Sequence, residues 1–238
     1  MPFACNCCAK CCMHLRQPAG TTGAPQKGPV FFLAKPAERG PTLFEWEKER
    51  LEAKAAELGL SAQILPLQVV FDASVEGGRV VAALWHLAMT SCPFLNDKNL
   101  CGVYENRPLA CRAFPLFGSR VSWNRFKIKP FASALCPKAI EVKAGGREEF
   151  FHALAEAYGE CYAAAEKMDL ALAFKDIMLH RLLSTPSLKF ERGPLESLRA
   201  RFSSSPVVGA LSLARSLGLL QEGELAASLR LIRGDEKP

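Results

Sequence analysis

The chain has 238 residues, enough for one large domain or two small ones. At 49% hydrophobic and 23% charged it can bury a substantial core, so its ten cysteines are not staples for a weak one. The formal charge is +6; eight thiolates holding two divalent ions would bring it to about +2, weak grounds for a polyanionic partner.

In chain order, residues 1–28 hold five cysteines (Cys5, Cys7, Cys8, Cys11, Cys12) and then a Gly, Thr and Pro-rich stretch. They read as a loop ordered by metal, since little else there offsets the entropy of ordering the backbone. Val30-Phe31-Phe32-Leu33 reads as a strand. Residues 42–58 read as a helix capped by Thr42, with Glu45 completing a capping box and Gly59 ending it. Glu45, Glu47 and Glu49 read as its solvated face. Leu65 to Phe71 and Val80 to Leu87 are strands around a Gly77-Gly78 turn. A second cysteine block runs from Cys92 to Cys136. The spacing of Phe151, Leu154, Tyr158, Cys161, Ala165, Met168 and Leu172 predicts one long helix from Arg147 to Phe174. Helices follow at 195–202, 207–217 (Ser205 as cap, Pro206 in the first turn) and 223–233, with Ser203-Ser204-Ser205 as a loop. The expected fold is α+β: an irregular, metal-organised, β-containing domain over 1–142 and a helical C-terminal region over 143–238.

No run approaches about 18 apolar residues, which predicts no membrane span. The chain opens Met-Pro-Phe-Ala-Cys without an apolar leader, so the expected compartment is the cytoplasm, where disulfides are rare. Cysteines there favour metal over disulfide. Four in the first block form C-x-x-C-x-x-C-C (Cys5, Cys8, Cys11, Cys12), and Cys92, Cys101, Cys111 and Cys136 bring the set to eight, twice the number around a closed tetrahedral site. If Cys11 and Cys12 lie on an extended stretch they point oppositely, and two neighbouring metals would take one each. Zinc is the leading metal and iron, alone or in an iron–sulfur cluster, the second, since soft thiolates suit both. C-x-x-C-x-x-C with a remote Cys-Pro partly echoes a ferredoxin run, but Leu15 stands where its fourth cysteine would fall.

The remaining features have plainer readings. Cys7 is a spare loop sulfur, and Cys161, on the apolar stripe of its helix, reads as a small core residue. His14 is a weak ligand candidate, and His86 reads as a hydrogen-bonded core residue. From Arg107 to Ile140 the chain carries seven cations (Arg107, Arg112, Arg120, Arg125, Lys127, Lys129, Lys138), no acid, and interleaved aromatics including Trp123 and Phe126. Such a pattern suits single-stranded nucleic acid. The favoured reading is neutralisation of the thiolates, with Arg107 or Arg112 reaching a ligand sulfur or a carbonyl of the cysteine loops.

The N-terminal array, Cys92-Pro93-Phe94-Leu95 and the run C-x-V-Y-E-x-R-P-x-x-C-R-x-F-P from Cys101 to Pro115 together resemble the YkgJ-type cysteine-cluster family, described as a zinc- or iron-chelating domain, over about residues 3–140. The resemblance implies metal ligation by Cys5, Cys8, Cys11, Cys12, Cys92, Cys101 and Cys111, and more loosely by Cys136. The family's usual glycine inside the first array is Ala9 or Lys10 here, which bears on loop geometry and not on the ligands. A related group includes flagellin lysine N-methylases, so the rival to a structural or chelating module is an iron–sulfur or metal-dependent enzyme of that kind. A third reading is a zinc-stabilised adaptor for nucleic acid or protein.

Overall fold

A computed structural model describes residues 5, 9–13, 28–35, 39–116, 120–122, 127–129, 136 and 140–233. The fold is α+β, with an antiparallel sheet and with helices in the C-terminal part. Contacts divide it into two compact units, each made of two stretches of chain: a cysteine unit (Met1–Leu15 with Thr90–Asp169) and a sheet unit (Arg16–Met89 with Leu170–Pro238). Among the described residues no helix is long and apolar enough to cross a membrane.

The sheet unit is built on two nine-residue strands, β3 (Ile64–Asp72) and β4 (Arg79–Leu87), antiparallel and paired from Ile64–Leu87 to Asp72–Arg79. Val69, Val70, Phe71, Val80, Val81 and Ala82 are buried in succession, so both faces of this pair are covered. Gly77 and Gly78, with φ of 73° and 69°, make the predicted turn. A Cβ on Gly78 would also fall 2.3 Å from the Phe71 ring. Strand β1 (Phe31–Phe32) pairs with β3. The far edge of β4 is shared by β2 (Thr42–Leu43), antiparallel, and β8 (Val207–Gly209), parallel. Asp72, with no exposed side-chain surface, accepts from Arg79 Nε at 2.8 Å and from the amides of Ser74 and Lys189 at 2.9 and 3.2 Å. Burial works against its ionisation, yet these donors hold its carboxyl below the usual range.

Four sequence expectations change here. Helix α2 spans Glu45–Glu57, and its capping carboxylate is Glu47, whose Oε2 accepts the Phe44 amide at 3.1 Å; Thr42 lies in a strand instead. Glu45 and Glu47 are 8% and 2% exposed, so of the supposed solvated face only Glu49 faces water. Residues 207–209 are not helical, because the edge of β4 takes them as β8, and the Val80 amide donates to the Pro206 carbonyl at 2.9 Å. Helix α7 therefore begins only at Ala210 (Ala210–Ser216), and α6 (Leu195–Ser204) takes in Ser203 and Ser204 of the stretch read as a loop, leaving Ser205 as its extended C-cap. Its Phe202 ring lies 5.5 Å from Phe31 and 5.9 Å from Phe71. Helix α8 (Glu222–Arg233) lies where predicted.

The buried Glu45 carboxylate accepts the amides of Leu211 and Ser212 at 2.9 and 3.0 Å and the Ser212 hydroxyl. Amides at the start of α7 thereby find a partner from α2. A Cβ on Gly209 would fall 2.0 Å from this carboxyl, so only glycine permits the approach.

The expected single helix is two, α4 (Arg147–Tyr158) and α5 (Glu160–Leu183), broken at Gly159, whose φ is 46°; α4 and α5 as far as Asp169 fall in the cysteine unit. Leu116, Val142, Phe150, Leu154 and Tyr158 form the core cluster. Strands β5 (Arg120–Ser122), β6 (Lys127–Lys129) and β7 (Val142–Lys143) form an antiparallel sheet. The remaining elements are α1 (Lys10–Met13), a 3-10 turn (Tyr104–Asn106) and α3 (Leu109–Arg112).

Glu45→Ala is expected to lower the unfolding free energy by about 1–3 kcal/mol, since it strands buried amides of α7. Glu49→Ala, on the exposed side of α2, should leave it unchanged. Urea denaturation of both variants checks this; equal effects would contradict the burial of Glu45.

Candidate metal centre

The arrangement begins at Ala9, which is buried and has φ of 58°, the left-handed region that costs an alanine about 1–2 kcal/mol. Its carbonyl accepts the amides of Cys12 and Met13, both at 2.8 Å. The reversal starts the single turn of α1, and this turn decides where the next two thiols go. Their stretch is helical and not extended, so Cys11 and Cys12 do not point oppositely: their Sγ atoms are 3.9 Å apart. Two sulfurs on one tetrahedral zinc lie about 3.5–4 Å apart. The Cys11 thiol is pushed far up by its hydrogen bond with Cys12, by burial and by the neighbouring charge.

The second block is tied to the first through the backbone, the Cys92 amide donating to the Cys12 carbonyl at 2.8 Å. Between Cys92 and Cys101 the chain folds back on itself. Asn96 Oδ1 accepts the amides of Lys98 and Leu100 at 3.0 and 2.9 Å, and Asn99 takes φ of 59°, which asparagine tolerates. The Gly102 amide donates to the Phe94 carbonyl at 2.7 Å, and Leu95 forms a bridge with Cys101. Buried Phe94 and Val103 anchor the two ends. Burial pushes the Cys92 thiol up to about 11 against a hydrogen bond from the Phe94 backbone, and the charges of Cys101 and Cys11 add to the shift. Cys11, Cys12, Cys92 and Cys101 thus form one neighbourhood.

Cys5 and Cys136 are not brought to the Cys11–Cys12 turn by any contact among the described residues. Cys5 is exposed and Cys136 half-buried. Four residues beyond Cys136, Ile140 is clamped by the Tyr158 hydroxyl, which accepts its amide at 2.8 Å and donates to its carbonyl. Cys161 packs beside the Tyr158 core cluster, as a core residue should, but it is only half-buried; burial pushes its thiol up to about 11 against the charge of Arg107, with smaller contributions from Cys5, Glu160 and Cys136. The apolar stripe alone gave no sign of this. The readable signal was Gly159, a helix breaker that puts Cys161 in the first turn of a new helix. Cys111 is half-buried on α3, whose Leu109 and Ala110 are buried.

The eight described cysteines are thiols, not disulfides. Among the described residues no three His, Cys, Asp or Glu side chains form a ready-made coordination shell. Cys7, Cys8 and His14 lie outside the described residues. His86 is buried, and its Nδ1 accepts the Gly40 amide at 3.4 Å, in keeping with the core reading.

Of the seven cations, Arg107 folds back locally along the loop between Cys101 and Cys111: its Nε donates to the Tyr104 carbonyl at 3.0 Å and its guanidinium lies 3.8 Å from the ring centre of the exposed Tyr104. Its charge favours the thiolate of Cys161. Arg120, Lys127 and Lys129 belong to β5 and β6, described in their backbone alone; Arg125, Lys138, Trp123 and Phe126 lie outside the described residues.

Two cysteine blocks remote in sequence are joined by a backbone hydrogen bond, the arrangement of a thiol-rich protein. The family model CxxCxxCC, described as "putative zinc- or iron-chelating domain", matches residues 4–137, more than half of the chain, and the chain belongs to that family. No curated protein and no solved structure matches it. Metal binding follows at that level, and thiolate donors suit both zinc and iron.

Ala9 holds a left-handed φ that glycine would adopt without strain. Ala9→Gly should be close to neutral: relief of about 1–2 kcal/mol of strain is offset by about 0.4–1 kcal/mol of unfolded-chain entropy and by loss of a buried methyl. Ala9→Val should lower the melting temperature and loosen metal retention, because a β-branched residue resists this conformation. Thermal melting with and without chelator checks both; indifference to valine would contradict the geometry.

Proposed function

We propose that the chain is a cytoplasmic cysteine-cluster protein that holds metal through Cys5, Cys8, Cys11, Cys12, Cys92, Cys101, Cys111 and Cys136, with zinc leading and iron second. The observation that carries this reading is the Cys11–Cys12 separation of 3.9 Å, the spacing that one tetrahedral ion asks of two ligands. Cys92 is held to the same turn by its amide and interacts with Cys101, so these four thiols suffice for one closed site. Cys5, Cys8, Cys111 and Cys136 are the remaining proposed ligands, enough in number for a second site.

A closed four-sulfur site favours a structural or chelating role over catalysis, which needs an open position. Zinc there would cross-link the N-terminal array to the second block, and its binding free energy would be folding free energy for the cysteine unit. Thiols kept for metal also require a reducing compartment, which supports the cytoplasmic reading. The hydrogen bond of Arg107 to a carbonyl of the cysteine loop supports local neutralisation over nucleic-acid binding.

Cys11→Ser is expected to lower metal content and to expose the N-terminus to protease. Element analysis and an absorption spectrum of protein purified without oxygen check the first, limited proteolysis the second. Zinc gives no visible band, whereas an iron–sulfur cluster gives broad visible absorption that Cys11→Ser should weaken. Unchanged metal in the variant would remove Cys11 from the ligand set.

A further inference from the structure

We propose that the adjacent thiols Cys11 and Cys12 are a redox switch: a hydroperoxide joins them as a disulfide, and the ion they held is released. The inference rests on the metal-binding reading above and adds a means of regulating that site. It stands on placement. The two Sγ atoms are 3.9 Å apart, so joining them takes an approach of about 2 Å and no movement of a remote segment. Both residues are half-buried and neither is sealed in the core, so a molecule the size of hydrogen peroxide can reach them. The helix that carries them, α1, is one turn of four residues, begun by the amides of Cys12 and Met13 on the Ala9 carbonyl, so little structure has to give way.

The chemistry balances in two steps. One thiolate attacks the hydroperoxide and the O–O bond breaks; the sulfur becomes a sulfenic acid, and the alkoxide leaves and takes a proton from water. The second thiolate then attacks that sulfur; the S–S bond forms, the S–O bond breaks, and hydroxide leaves as water on taking a second proton. The two sulfurs have lost two electrons and the peroxide has gained them, while zinc, which has no redox chemistry, takes no part. The product is strained, because adjacent Cα atoms stand about 3.8 Å apart and ordinary disulfides span about 4.4–6.8 Å. A strained disulfide is easily reduced, which suits a reversible switch in a reducing compartment where lasting disulfides are rare. Closure also takes two sulfurs from one ion, leaving too few for a closed tetrahedral site.

The test uses the full chain loaded with zinc, treated with hydrogen peroxide, then denatured, alkylated with N-ethylmaleimide and digested with trypsin. Trypsin cuts after Lys10 and Arg16, so Cys11 and Cys12 fall in one peptide that holds no other cysteine. That peptide should be lighter by two hydrogens and carry no label, in step with zinc released to a coloured chelator, one ion for each peptide closed. Reduction by a phosphine should restore both thiols and the capacity to hold zinc. Cys92, whose amide is bonded to the Cys12 carbonyl at 2.8 Å, is the obvious rival partner. Zinc release with this peptide cross-linked to Cys92, or with sulfinic acid in place of the disulfide, overturns the switch and leaves the metal reading standing. So does zinc retained at peroxide levels that oxidise a free dithiol. A chain that holds no metal before peroxide is added defeats both.

Discussion

The cysteine unit depends on one electrostatic constraint: adjacent thiols whose sulfurs stand 3.9 Å apart. Ionised together, two such charges repel by about 4 kcal/mol at an effective dielectric of about 20, and further thiolates nearby add to that. Left neutral, they do little to hold the turn in place. A divalent cation reverses the sign, and structural zinc sites contribute about 10–16 kcal/mol of binding free energy near neutral pH, enough to outweigh the repulsion several times over. On the proposed reading, metal is the term large enough to make an ordered structure of this short array.

Backbone elements do the positioning. A left-handed alanine turns the array into a single helical turn; one amide–carbonyl bond ties Cys92 to that turn; Asn96 and Asn99 fold the loop so that Cys101 comes back beside Cys92. None of these elements is long, and none carries much apolar burial of its own. The sheet unit is the opposite case, held by the dry β3–β4 pair and by carboxylates that serve backbone donors, Glu45 on α7 and Asp72 on Ser74 and Lys189. Its order does not call for a metal.

Sequence and structure agree where a local signal was strong and uncontested. The β3–β4 hairpin with its Gly77-Gly78 turn, the body of α2 and α8 are of this kind, since periodicity and turn residues act within a few positions. The disagreements came where a distant partner overrode local preference. Val207–Gly209 reads as helical until the open edge of β4 recruits it, and Glu45 reads as solvated until the start of α7 needs an acceptor. Gly159 was legible as a helix breaker but was outvoted by apolar spacing running through it. The two cysteine blocks were plain in the sequence; the geometry of Cys11 and Cys12 was not, because it turns on the φ of Ala9. The setting of Cys161 was hidden for another reason: an apolar stripe looks the same whether its cysteine is fully buried or half-buried.

The most direct measurement is X-ray absorption at the edge of the bound metal, made on protein isolated without oxygen. Its fine structure reports the number and kind of nearest neighbours. A first shell of about four sulfurs near 2.3 Å is expected for zinc held by the thiolate sets. A shell dominated by oxygen or nitrogen would contradict the assignment of the cysteines as the ligands.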